Sequence, residues 1–102
     1  MSVLVDLSIF PMDQGPEVSR AVSRAVAVIR GSGLPHTLGA MGTCIEGEWD
    51  EVMGVVSQCF AELADQSERV YMTMKVDYRK GRQGGLTGKI ASVEQRLAGD
   101  GA

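Results

Sequence analysis

Histidine occurs once in these 102 residues and cysteine twice, with no CxxC pair. His36 has no Cys, His or carboxylate at metal-ligand spacing, which excludes the usual zinc patterns. It is read as a structural or solvated side chain. Cys44 and Cys59, two isolated thiols, do not make a disulfide framework or a metal cluster. Neither has a base nearby in sequence to activate it as a nucleophile, so both are read as free thiols in a reducing compartment. A formal charge of −3 lacks the basic excess that nucleic-acid binding requires. No run of about eighteen apolar residues is present to cross a bilayer, and the N-terminus shows no secretory signal pattern. A cytoplasmic protein with neither membrane nor nucleic acid as partner is expected.

What is present is an ordinary globular composition, 44% hydrophobic and 23% charged, which argues against disorder. The length is that of one domain, expected over 1–98 with 99–102 as a frayed tail. A chain this short has a modest core and would gain from association with other copies. Its opening alternates: Val3, Val5, Leu7 and Ile9 share one face of a strand and Leu4, Asp6, Ser8 and Phe10 the other, until Pro11 stops it. A helix is predicted over about 16–30, with Val18, Val22, Ala25 and Ile29 as its apolar stripe and Gly31 and Gly33 as stop signals. A hairpin follows, one strand near 35–39 and a second through 43–46. A second helix over about 49–64 carries Trp49, Val52, Met53, Val56, Cys59, Phe60 and Leu63. Residues 69–79 alternate again, Val70, Met72, Met74, Val76 and Tyr78 against Tyr71, Thr73, Lys75 and Asp77. After a basic, Gly-rich loop, Leu86, Ile90, Val93 and Leu97 mark a third helix.

The order βαββαβ plus a C-terminal helix predicts an α+β, ferredoxin-like sandwich. It has a four-stranded antiparallel sheet, first and third strands central, both main helices on one face. The expected core includes Ile9, Val22, Ile29, Val56, Phe60, Val76 and Ile90. The second sheet face is then left with Leu4, Asp6, Ser8 and Phe10, with Cys44 and Glu46, and with Tyr71, Thr73, Lys75 and Asp77. Its apolar members would form an exposed patch in a monomer, which marks an interaction surface or a ligand site.

Candidates for chemistry are few. Glu48, Asp50 and Glu51 suit a helix N-terminus. Glu46 lies within a strand, where a half-buried carboxylate can accept from an amino or protonated ring group of a ligand. The loop 79–85 lacks the GxxxxGK[ST] order of a phosphate-binding loop and is read as a mobile basic loop.

Three blocks carry a family resemblance: Met41-Gly42-Thr43-Cys44-Ile45-Glu46-Gly47-Glu48 running on into Trp49-Asp50-Glu51-Val52-Met53, Lys75-Val76-Asp77-Tyr78-Arg79, and Lys89-Ile90-Ala91-Ser92-Val93-Glu94. Together with Ser8-Ile9-Phe10-Pro11 at the start, they resemble the small thiamine-binding ferredoxin-like family related to the YkoF proteins. The resemblance implies a non-catalytic binding protein, a homotetramer built as a dimer of dimers, and thiamine or its hydroxymethylpyrimidine part as ligand, with no cofactor. Gly84 and Gly85 depart from a usual helix start and leave the beginning of the last helix open.

The ligand site is accordingly expected on or beside the uncovered sheet face, with Thr43 and Glu46 as its polar centre, then Ser8, Asp6 and Asp77. A structural or regulatory oligomer without a small-molecule ligand is the competing expectation. A small oxygenase-type enzyme is disfavoured by the single histidine and the lack of an evident base.

Overall fold

The computed structural model describes residues 2–100. Strand β1 (Ser2–Pro11) leads through a single 3-10 turn (Gly15–Glu17) into helix α1 (Val18–Gly31). The hairpin β2 (His36–Leu38) and β3 (Thr43–Glu48) runs directly into α2 (Trp49–Ala64), followed by β4 (Val70–Tyr78) and α3 (Gly85–Asp100). The sheet order is β2-β3-β1-β4, and every neighbouring pair is antiparallel. This is the expected α+β sandwich with β1 and β3 at its centre. Helix α3 runs to Asp100; residues 101–102 of the tail expected over 99–102 lie outside the described residues.

The alternation of β1 translates directly into burial, since odd residues from Val3 to Ile9 are buried and even ones half-buried. Helix α1 adds Ala21, Ala25 and Ile29, and α2 adds Val52, Val55, Val56, Cys59 and Leu63. The small residues at Ala21 and Ala25 let α1 come close to the sheet, while Val18 and Val22 sit at the rim, half-buried.

Three expected core residues are instead exposed: Phe60 at 48%, Val76 at 42% and Ile90 at 59%. Their reasons differ. The apolar face read on α2 is wider than the contact a helix makes, and the i, i+3, i+4, i+7 positions from Val52 to Cys59 take the inside. Phe60 and Trp49 fall outside it. Val76 points to the helix-covered side, but α1 and α2 lie mainly over β1 and β3, so the inward side chains of the edge strand β4 stay largely bare. Ile90 belongs to a helix that touches the body only near its start: Gly85 is buried, Leu86 half-buried, and the described side chains from Thr87 to Gly99 are exposed.

Candidate functional site

The structure splits the five expected site residues between two places. Asp6, Ser8, Glu46 and Asp77 lie on the second sheet face, the one α1 and α2 do not cover. Thr43 does not join them. It pairs with Leu7, whose neighbour on the other side is Met74. Directly opposed residues share a face, so Thr43 is on the covered side, buried at 4% exposure. The period of two puts Thr43 and Glu46, three residues apart, on opposite faces, so they cannot be one polar centre.

On the second face, Glu46 supports α3. Its two carboxylate oxygens accept from the main-chain N–H of Gly85 at 2.7 Å and of Leu86 at 3.4 Å. This answers the question left by the glycines at that helix start: a strand carboxylate caps the helix from a distance in sequence, and its negative charge suits the positive end of the helix dipole. The sequence signal for it was there, an acidic residue in a strand followed by a helix with no acidic or hydroxyl cap of its own, but only the tertiary fold joins them. Gly85 also packs against Arg82, whose Nε would lie 3.0 Å from an added Cβ.

Asp77 anchors the same helix. Lys89 donates to its Oδ2 at 2.6 Å, and Arg82 donates to that oxygen and to the Asp77 carbonyl, both at 3.0 Å. Asp6 is 3.8 Å from the Lys75 ammonium and accepts from the Cys44 thiol at 3.7 Å. Between these groups and α3 is an open cavity of about 530 Å³, floored by Leu4 and roofed by Leu86 and Ile90. Its carboxylates are already met by cations, so it offers no uncompensated charge of either sign.

The hydrogen bond from Lys89, and then that from Arg82, hold the Asp77 carboxyl below its ordinary value of 3.8. A carboxyl depressed in the folded state contributes stability that is complete above the ordinary carboxylate range and is lost as pH falls through the folded value. Acidification below about 3.8 should therefore loosen the contact of α3 with β4, read as accelerated amide exchange in α3. Asp77→Asn should show that looser helix already at neutral pH and no further acid step from this group.

Both thiols are pushed up. Burial is the main cause for Cys59, which rises to about 11. For Cys44 burial comes first and the Asp6 charge second. Neither is an activated nucleophile. His36 Nδ1 lies 2.9 Å from the Leu34 carbonyl. That oxygen can only accept, so Nδ1 carries the proton, and the ring is used locally. Among the described residues, no three His, Cys, Asp or Glu side chains are grouped to hold a metal ion.

The second place is a smaller cavity of about 180 Å³ on the other side, between α1 and the hairpin turn. Val18, Val22 and Ala25 form its α1 wall, residues 38–42 its turn wall, and Thr43 adds a polar side chain; Ser8 borders it from β1, with its side chain on the other sheet face. A stretch of unpaired strand edge opens onto it. The pairing of β1 with β3 ends at Leu7, whereas pairing with β4 continues to Pro11. Main-chain groups of odd β1 residues point towards β3: an added Cβ on Gly42 would lie 2.8 Å from the Leu7 carbonyl oxygen. On the opposite side, the Met12 N–H donates to the Arg69 carbonyl at 2.9 Å. The N–H and C=O of Ile9 thus face this cavity, with no strand beside them among the described residues. The turn approaches closely because Gly42 has no side chain, and its neighbour Gly39 donates to the Gly42 carbonyl at 2.8 Å.

The chain has relatives over almost its full length. A UPF0045 protein of Mycobacterium bovis is 44% identical over 98 residues, which are 95% of this chain and 96% of that protein. One from Synechocystis is 37% identical over 98 residues, 95% of this chain and 81% of that protein. The solved structure of a Methanocaldococcus jannaschii protein superposes with a TM-score of 0.85 at 28% identity, covering 92% of this chain and 97% of that one. A candidate thiamine biosynthesis/salvage protein from Thermotoga maritima superposes at 0.81 with 22% identity, over 91% and 99%, and shares the fold. The sequence profile of the thiamine-binding proteins matches residues 5–94, and with it the chain belongs to the thiamine-binding protein family.

Proposed function

We propose that this protein binds thiamine or its hydroxymethylpyrimidine moiety, without catalysis, as a cytoplasmic oligomer of the dimer-of-dimers type, and that the pyrimidine ring enters the cavity beside Thr43. One observation carries the placement: two of the sequence blocks that bear the family resemblance, 8–11 and 41–43, come together there around the open main-chain edge of Ile9. An aminopyrimidine presents adjacent donors and acceptors along one edge, as does a β-strand. The Ile9 N–H and C=O, with the Thr43 hydroxyl, offer the complementary set. Drug-sized ligands fill roughly 300–1,000 Å³, so a cavity of about 180 Å³ suits one ring rather than the whole of thiamine. Its lining includes no charged side chain, which leaves the thiazolium cation outside, in water. The low reactivity of both thiols and the internal use of His36 support binding rather than chemistry.

Isothermal calorimetry with thiamine and with hydroxymethylpyrimidine tests this. Thr43→Val keeps the shape and removes one hydrogen bond, so it should weaken binding by about tenfold, equivalent to about 1.4 kcal/mol. Val22→Trp, at the half-buried rim of α1, should fill the cavity and abolish binding with the circular dichroism unchanged. Failure of the parent to bind either compound at millimolar concentration would leave the structural or regulatory oligomer as the reading.

A further inference from the structure

The outer edge of β4 is unlike the other edge of the sheet. Strand β2 is three residues long, while β4 runs for nine residues with no proline or glycine. A long, regular, apolar edge is a template for another strand. Its alternate side chains Met72, Met74, Val76 and Tyr78 are exposed although they point to the core side of the sheet. The main-chain groups of odd β4 residues pair with the even residues of β1, as the Met12 to Arg69 hydrogen bond continues to show. Those of Val70, Met72, Met74, Val76 and Tyr78 therefore point outward.

We propose that this edge pairs antiparallel with β4 of a second copy, about a two-fold axis at Met74, to give a continuous eight-stranded sheet. This gives the self-association proposed above an interface and a register, and it does not depend on the ligand. Side-chain alternation and charge select the register. Opposed residues must share a face, so residues must meet in pairs whose numbers sum to an even value. A two-fold at Lys75 would set two like charges face to face, which is destabilising, and one at Thr73 would overlap only residues 70–76. A two-fold at Val76 would oppose Lys75 to Asp77, but it overlaps only residues 74–78, and exposed ion pairs add little net stability. Asp77 is in any case already held by Lys89 and Arg82. At Met74 all nine residues overlap. Every inward apolar side chain meets another, Met72 against Val76 and Val70 against Tyr78, while Lys75 faces Thr73 and Asp77 faces Tyr71.

Helix α3 points to the same occupant. It begins at Glu46 on β3, and by Lys89 its side chains reach Asp77 on β4. Sixteen residues make a rod of roughly 24 Å, and Ile90, Val93 and Leu97 along it remain exposed. In a sheet continued past β4 about that two-fold, the second copy carries its own α3 on the same face, so the exposed Ile90, Val93 and Leu97 of both helices lie on one side of the joint sheet.

Sedimentation analysis without thiamine should show the parent associated at micromolar concentration. Met74→Pro removes the central outward N–H and no bond to β1, a position edge strands tolerate. It should reduce the mass to half or to a single chain, and raise the dissociation constant at least a hundredfold. A monomeric parent, or an unchanged mass for the variant, overturns the proposal. Because a proline can disturb folding, Met74→Cys gives an independent reading. Residues at the two-fold lie roughly 5.5 Å apart, within disulfide reach. Mild oxidation should give a disulfide-linked dimer with Met74→Cys but not with Val76→Cys or the parent. Linkage through Val76→Cys alone overturns the register, and linkage through neither overturns the interface. Failure of thiamine to bind leaves all of these outcomes readable.

Discussion

Replacing Ile45 by alanine should destabilise the protein by about 2–5 kcal/mol, the usual cost of removing a large aliphatic side chain from a packed interior. Ile45 is fully buried at the centre of β3, opposed to Val5 on one side and to His36 on the other. It sits where the two central strands meet the helices, among residues that cannot close over the gap without moving both layers. A domain of this size has roughly 5–15 kcal/mol of stability in all, so the loss should be visible as a large drop in the urea midpoint. The comparison that gives the experiment its meaning is Phe60→Ala. Phenylalanine is larger, and the helical pattern alone would rank it first. At 48% exposure it should cost about 1 kcal/mol or less. Equal losses from the two substitutions would show that α2 is rotated relative to the arrangement described above.

The second large effect is expected at Glu46. Glu46→Ala removes the acceptor for two N–H groups at the start of α3, one of them buried. An orphaned buried donor costs about 1–3 kcal/mol, and the loss of a carboxylate at a helix N-terminus adds to it. The penalty should fall on the docking of α3 rather than on the core, because the helix has few other contacts with the body. Amide exchange should accelerate across 85–97 and the loop 79–84 should become sensitive to protease, with the urea midpoint of the sheet and the first two helices little changed. Glu46→Gln, which keeps one carbonyl oxygen, should give a smaller form of the same result. The two variants also separate the capping role from a ligand contact. If thiamine binding falls while α3 stays docked, Glu46 touches the ligand directly, and the cavity beside Thr43 is not the whole site.

Periodicity was enough to predict the element order and the core face of β1, because a period of two in a central strand has only one way to meet a helix layer. It was enough, too, for the inside positions Ala25, Ile29, Val56 and Cys59. The sequence blocks around Ser8 and Thr43 pointed to a site, and the Gly84-Gly85 departure pointed to an unusual helix start. What periodicity could not settle was which apolar residues find a neighbour. Phe60, Val76 and Ile90 obey the same patterns as buried residues. They remain exposed because two helices of this size cover two strands and part of a third, and because α3 leaves the body after one turn. Nor could it place polar groups that depend on pairing across strands. Thr43 and Glu46 look like one cluster in sequence, yet a strand separates them onto opposite faces. Glu46 finds its partners 39 and 40 residues away, and the open edge at Ile9 exists only because β3 ends opposite Leu7. Local side-chain order decides which face a residue is on; only the packing of elements distant in sequence decides what that face meets.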